Sequence, residues 1–90
     1  MSDEKQREVF LSSVKVLMPG EDDYITVCEA NQYEIIKVTA ERVNPDGTIN
    51  QGAVMVAINQ DPVRWIPKSV LAIDSQETLY IQNWFFEKNF

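Results

Sequence analysis

Glu21, Asp22 and Asp23 stand side by side in "MPGEDDY", and three adjacent carboxylates can serve three ends. They can hold a divalent cation, steer a basic partner, or keep a turn in water. A calcium site gathers about 6–8 oxygen ligands from an ordered loop. No second acidic cluster and no EF-hand spacing accompany this triplet. No metal site is therefore expected. The reading adopted is a solvated loop whose charge can also attract a basic protein surface.

The second stretch is "VRWIPKS", Val63 to Ser69. If this segment is a regular strand, Val63, Trp65 and Pro67 point one way and Arg64, Ile66 and Lys68 the other. Pro67 has no N–H, so an interior ladder must stop there. A structural role would lay Trp65 over one end of the fold as a lid. A binding role would make Trp65 a half-exposed platform with Arg64 and Lys68 close by. That combination suits a protein hot spot or the stacking and phosphate contact that hold single-stranded nucleic acid.

The third stretch is the ending, "NWFFEKNF". On one helix Trp84 and Phe85 lie about 100° apart, and Phe86 lies about 100° further round. Trp84, Phe85, Phe86 and Phe90 cannot all reach one core, so aromatic surface should remain outside. Such surface marks an interface. A second copy of the chain, giving a homodimer, or a groove on a different protein would cover it.

Other chemistries lack their groups. The chain has no histidine, which removes the commonest general base and the triads built on it. Ser69 has no visible base to activate it. The three glycines, at 20, 47 and 52, fall in unrelated turns rather than in a phosphate loop. Cys28 is the single cysteine, so an internal disulfide and a Cys-based zinc site are both ruled out. In "YITVC" it reads as a small buried apolar residue. A reducing, cytoplasmic setting is expected, with no membrane span, no cofactor and no catalysis.

The charge balance, 14 acidic residues against 8 basic for a net of −6, points the same way. Duplex-binding proteins draw affinity from lysines and arginines that neutralise phosphates. An acidic chain is better matched to a basic protein, and nucleic acid is the less favoured partner.

Short elements must position these residues. The 90 residues suit a single domain over 1–90, with a core that is adequate but thin. Residues 1–8 are charged and expected to be poorly ordered. "VFLSSVKVLMPG" supports either of two structures. Phe10, Leu11, Val14, Leu17 and Met18 fall on one helical face, yet "SVKVLM" could form a hairpin with "YITVC" across a loop of about five residues. "YITVC", "YEIIKVTAERV", "GAVMVAIN", "VRWI", "SVLAI" and "TLYI" read as strands. In the second of these, Tyr33, Ile35, Lys37, Thr39 and Glu41 share one side, and Ile36, Val38 and Ala40 the other. "NPDGT", 44–48, is a turn: Pro45 presets φ and Gly47 supplies a positive one. The expected fold is mainly β (α+β), a small barrel or sandwich of five to six short antiparallel strands. A short C-terminal helix, capped near Gln82 or Asn83, completes it.

Three parts of the C-terminal two-thirds, from Tyr33 to Lys88, form a familiar series: "AVMVAIN", then "RWIPKS", then "IQNWFFEK". This arrangement resembles small uncharacterised bacteriophage and mobile-element proteins. In them a strand ends in W-[IVF]-P-K-S and a tryptophan-containing segment closes the chain. The resemblance implies a β-rich fold and a phage setting, in which small acidic proteins inhibit host or defence machinery. It implies no activity.

The function expected is therefore a non-enzymatic module that docks on a host or defence protein and can inhibit it. Arg64, Trp65, Lys68, Trp84, Phe85 and Phe86 would anchor it, and Glu21, Asp22 and Asp23 would steer it. The alternative is an accessory single-strand-binding barrel in phage DNA metabolism, using Trp65, Arg64 and Lys68.

Overall fold

A computed structural model describes residues 2–39, 42–50 and 52–90. The chain opens with helix α1, Ser2–Ser13. Twelve residues are marginal as an isolated helix, so tertiary contact must hold them. Phe10 and Val14, four apart on one face, are both buried, Phe10 completely. The charged segment expected to be poorly ordered is helical from Ser2 onward. Two of its side chains are tied down: Gln6 accepts the Val38 N–H at 3.0 Å, and Arg7 lies 4.7 Å over the Tyr33 ring. Arg7 also donates to the Glu77 carboxylate at 2.9 Å and the Ala30 carbonyl at 3.2 Å.

Of the two structures that the sequence allowed for residues 9–18, the helix holds as far as Ser13 and the hairpin does not form. The Ser13 hydroxyl donates back to the Val9 carbonyl at 2.8 Å, a bond that competes with the helix ladder near its end. Strand β1, Lys15–Val16, follows at once. It does not form a hairpin with β2, Tyr24–Cys28. Instead it pairs in parallel with β8, Leu71–Ile73. The four-stranded sheet runs β1-β8-β9-β2, with β9 spanning Leu79–Gln82, so β1 and β2 are opposite edges. Three strand spacings are about 14 Å. The seven-residue link, residues 17 to 23, reaches that far with ease, at about 3.3 Å per extended residue. What looked like a hairpin loop is a crossing of the sheet.

The other sheet has the order β3-β6-β7, from Tyr33–Val38, Ala53–Ile58 and Arg64–Pro67. A small ribbon, β4 with β5 (Arg42–Val43 and Ile49–Asn50), closes around the 44–48 turn. There Gly47 takes φ +90°, Asn44 N–H donates to the Thr48 carbonyl at 2.8 Å, and Asp46 accepts the Thr48 N–H at 3.0 Å. The fold is thus mainly β, two sheets around a shared core with a short C-terminal helix. Two details differ from expectation. Among the described residues there are nine strands rather than five or six, and the β1/β8 pair is parallel.

The core lies between the sheets and under α1. Val54, Val56 and Ile58 of the central strand β6 face inward with Ile35 and Ile66, against Leu71, Ile73, Leu79 and Ile81 of the other sheet. Strand β3 breaks the expected alternation. A bulge between Ile35 and Lys37 inserts Ile36, so Lys37 is exposed and Val38 packs against the core. Ala40 and Glu41 lie outside the described residues. Pro67 ends β7, an edge strand, where a missing N–H is tolerated.

Candidate docking surface

Helix α2, Asn83–Asn89, starts directly where β9 ends. The acidic crossing loop reaches its first residue. Asn83 N–H donates to the Asp23 carbonyl at 2.8 Å, and its side chain donates to the Asp22 carbonyl at 3.4 Å. The loop and the helix are thereby one surface.

Trp84 stands on that surface with 56% of its area exposed, yet it is held in position. Its indole N–H donates to the Gln82 side-chain carbonyl, and Gln82 donates in turn to the Tyr24 hydroxyl at 3.3 Å. Phe85 meets it edge-to-face, centroids 5.6 Å apart at 82°. Phe85 and Phe86 pack against the core, while Phe90 remains 43% exposed. The helix leans Phe85 and Phe86 inward and leaves Trp84 out, since three consecutive aromatics at 100° steps cannot share one core.

Glu21 is engaged locally. One carboxylate oxygen accepts the Met18 N–H at 2.7 Å, and the other pairs with the Lys15 ammonium at 3.1 Å. The Met18 N–H, and after it Lys15, hold its carboxyl below the ordinary value. Asp22 and Asp23 are exposed, and their carboxylates make no hydrogen bond or ion pair among the described residues. No cluster of three or more histidine, cysteine or acidic side chains with metal-binding geometry occurs among the described residues. An open groove of about 570 Å³ is lined by Trp84, Gln82 and Tyr24 together with Asp23, Glu21 and Lys15.

The "VRWIPKS" residues are divided by the strand. Trp65 is 48% exposed on the outer face, with Val63 and Pro67 exposed beside it. It is not a buried lid. Its cross-strand neighbour is Met55, and Lys37 lies beyond in the same row. Arg64 points the other way and is occupied: its Nη1 donates to the Asn89 carbonyl at 3.1 Å, and its guanidinium lies 4.4 Å over the Phe90 ring. Lys68 is half-buried in the turn after β7. Arg64 therefore joins β7 to the last turn of α2, while Trp84 sits in the first turn of that helix.

Cys28 is buried, and burial pushes its thiol up. Lys15, Tyr24 and Gln82 were not singled out as site residues in the sequence. Tyr24 and Gln82 meet only because β2 pairs with β9, 58 residues apart, and no local signal announces that pairing. Among the described residues no helix is long and apolar enough to cross a membrane. Comparison with known proteins found no family model, no curated protein and no solved structure that matches this chain.

Proposed function

We propose that this protein is a non-enzymatic interaction module that docks on a protein partner and blocks the surface it covers. The observation that carries this reading is Trp84, more than half exposed yet held by Gln82 and Phe85. An aromatic fixed before binding loses little side-chain entropy on docking, which is what an interface anchor needs. Phe85 meets it edge-to-face and, like Phe86, packs on the core; with Glu21 paired to Lys15, Asp22 and Asp23 supply the field that steers a basic surface toward it. Trp65, with Val63 and Pro67, forms a second apolar patch on the outer face of the three-stranded sheet. The phage setting, a host or defence protein as target and a cytoplasmic site of action follow the resemblance of "RWIPKS" and the closing segment. A chain with no imidazole is suited to acting by occupancy rather than turnover.

The nucleic-acid alternative is weaker, because Arg64 is engaged by Asn89 and Phe90 instead of flanking Trp65. Anisotropy of a labelled single strand at low salt is expected to stay flat; a rise that fades with salt would restore that alternative. The docking reading is tested by recovery of partners from host lysate with wild type and Trp84→Ala. Trp84→Ala is expected to lose a discrete band, and identical partner sets would overturn the reading.

A further inference from the structure

We propose that the Trp84 groove receives an arginine side chain from a basic segment of the partner, its guanidinium stacked on the indole and paired with Asp23. The inference rests on the docking reading above and specifies what enters the groove. Three observations combine. The indole is exposed and oriented, its N–H already given to Gln82, so the ring face is what it offers a ligand. A cation over an indole face is the favoured partner of that surface.

The charge of the groove is the second observation. Lys15 and Glu21 neutralise each other at 3.1 Å, leaving Asp23, which lines the groove with Trp84, and the neighbouring Asp22 with no ion-pair partner among the described residues. That residual negative charge attracts a cation and repels a phosphate. The net charge of −6 acts in the same sense at longer range.

The shape is the third. The groove is open and lined by residues of β1, the crossing loop, β2, the end of β9 and the start of α2. In an open, wet groove a strongly hydrated ammonium gains little. A planar guanidinium is more weakly hydrated, stacks flat on an indole, and still presents a fork of N–H donors to a carboxylate. Arginine is thus selected over lysine.

The test uses the full chain carrying Trp65→Phe, so that fluorescence reports Trp84 alone. The probe is a blocked glycine–arginine repeat peptide, with its glycine–lysine counterpart as control. Saturable binding of the arginine peptide is expected. Trp84→Ala should weaken it about five- to tenfold, followed by calorimetry. Asp23→Asn should weaken it about threefold. Lys15→Ala, which releases Glu21, should tighten it. All three positions are at the surface, and unchanged melting temperatures will show that the fold is intact. No binding, equal binding to Trp84→Ala, or equal affinity for the lysine peptide would each overturn the inference.

Failure here is distinguishable from failure of the docking reading. Partner capture that needs Trp84 but ignores excess arginine peptide and survives Asp23→Asn removes the arginine inference and leaves docking in place. Capture indifferent to Trp84 removes docking itself.

Discussion

The Arg64 guanidinium lies 4.4 Å over the Phe90 ring and donates to the carbonyl of Asn89, which ties the three-stranded sheet to the end of the chain. Phe90 in turn stacks on Phe86, centroids 5.1 Å apart at 9°. A single edge-strand residue thus fixes the far end of the helix whose first turn carries Trp84. The Arg64 Nε is buried and finds no acceptor among the described residues, so the arrangement also carries a desolvation cost.

Arg64→Ala is expected to destabilise the protein by about 1–2 kcal/mol, from a cation–π contact and a charged hydrogen bond. In a domain of this size about 1 kcal/mol lowers the melting temperature by roughly 4–8 °C. Arg64→Met, which keeps the apolar stem and removes the unpaired N–H, should lose less than Arg64→Ala. Thermal melts of the two variants measure this. An Arg64→Ala melt superimposable on wild type would mean that the tie contributes nothing.

Phe10 carries α1. It is fully buried and meets Tyr33 edge-to-face with centroids 6.3 Å apart. Phe10→Ala should cost about 3–5 kcal/mol, a large share of the roughly 5–15 kcal/mol of an ordinary domain. The neighbouring Val9, 41% exposed, should tolerate alanine within about 0.5 kcal/mol. Urea titration of the pair is the measurement, and similar midpoints would contradict the placement of α1.

Acid should weaken the fold in part through Asp74. Burial pushes its carboxyl up, but the N–H groups of Gln76 and Thr78 and the Tyr80 hydroxyl outweigh that and hold it below the ordinary value. A carboxyl depressed in the folded state binds protons less readily than in the unfolded chain. Its contribution is therefore complete above the ordinary value of about 3.9 and fades as pH falls through the lower folded value. Asp46, depressed by the Thr48 hydroxyl and N–H, acts in the same sense. Urea midpoints of wild type should fall between about pH 5 and pH 2, and Asp74→Asn should flatten that decline. An equally steep decline in the variant would remove Asp74 from the account.

Cys28 should be silent in the native protein. It is buried and burial raises its thiol, so the neutral form persists at mildly alkaline pH. A thiol-exchange reagent at about pH 8 should react only as fast as the fold opens, and fully in denaturant. Complete reaction within seconds in native buffer would show the cysteine to be accessible.

Local chemistry in the chain was sufficient for much of this structure. "NPDGT" carries its own turn, because proline, aspartate and glycine act through φ and short-range hydrogen bonds. The apolar run at Ala53–Ile58 is the central strand of its sheet, with Val54, Val56 and Ile58 in the core and Ala53, Met55 and Ala57 half-buried on the outer face. Trp84 remains outside because 100° steps cannot aim three consecutive aromatics at one core. The helix over residues 2–13, the sheet crossing by the 17–23 link and the bulge at Ile36 were decided by tertiary contact. Each depends on a partner far along the chain: Tyr33 and Glu77 for Arg7, Ile73 for Leu17, Val56 and Met55 for β3. The groove is of the same kind. Its tryptophan and its acids are visible as residues, but only the pairing of β2 with β9 and the long crossing from β1 set them beside each other, since loop closure over such distances leaves no periodic trace.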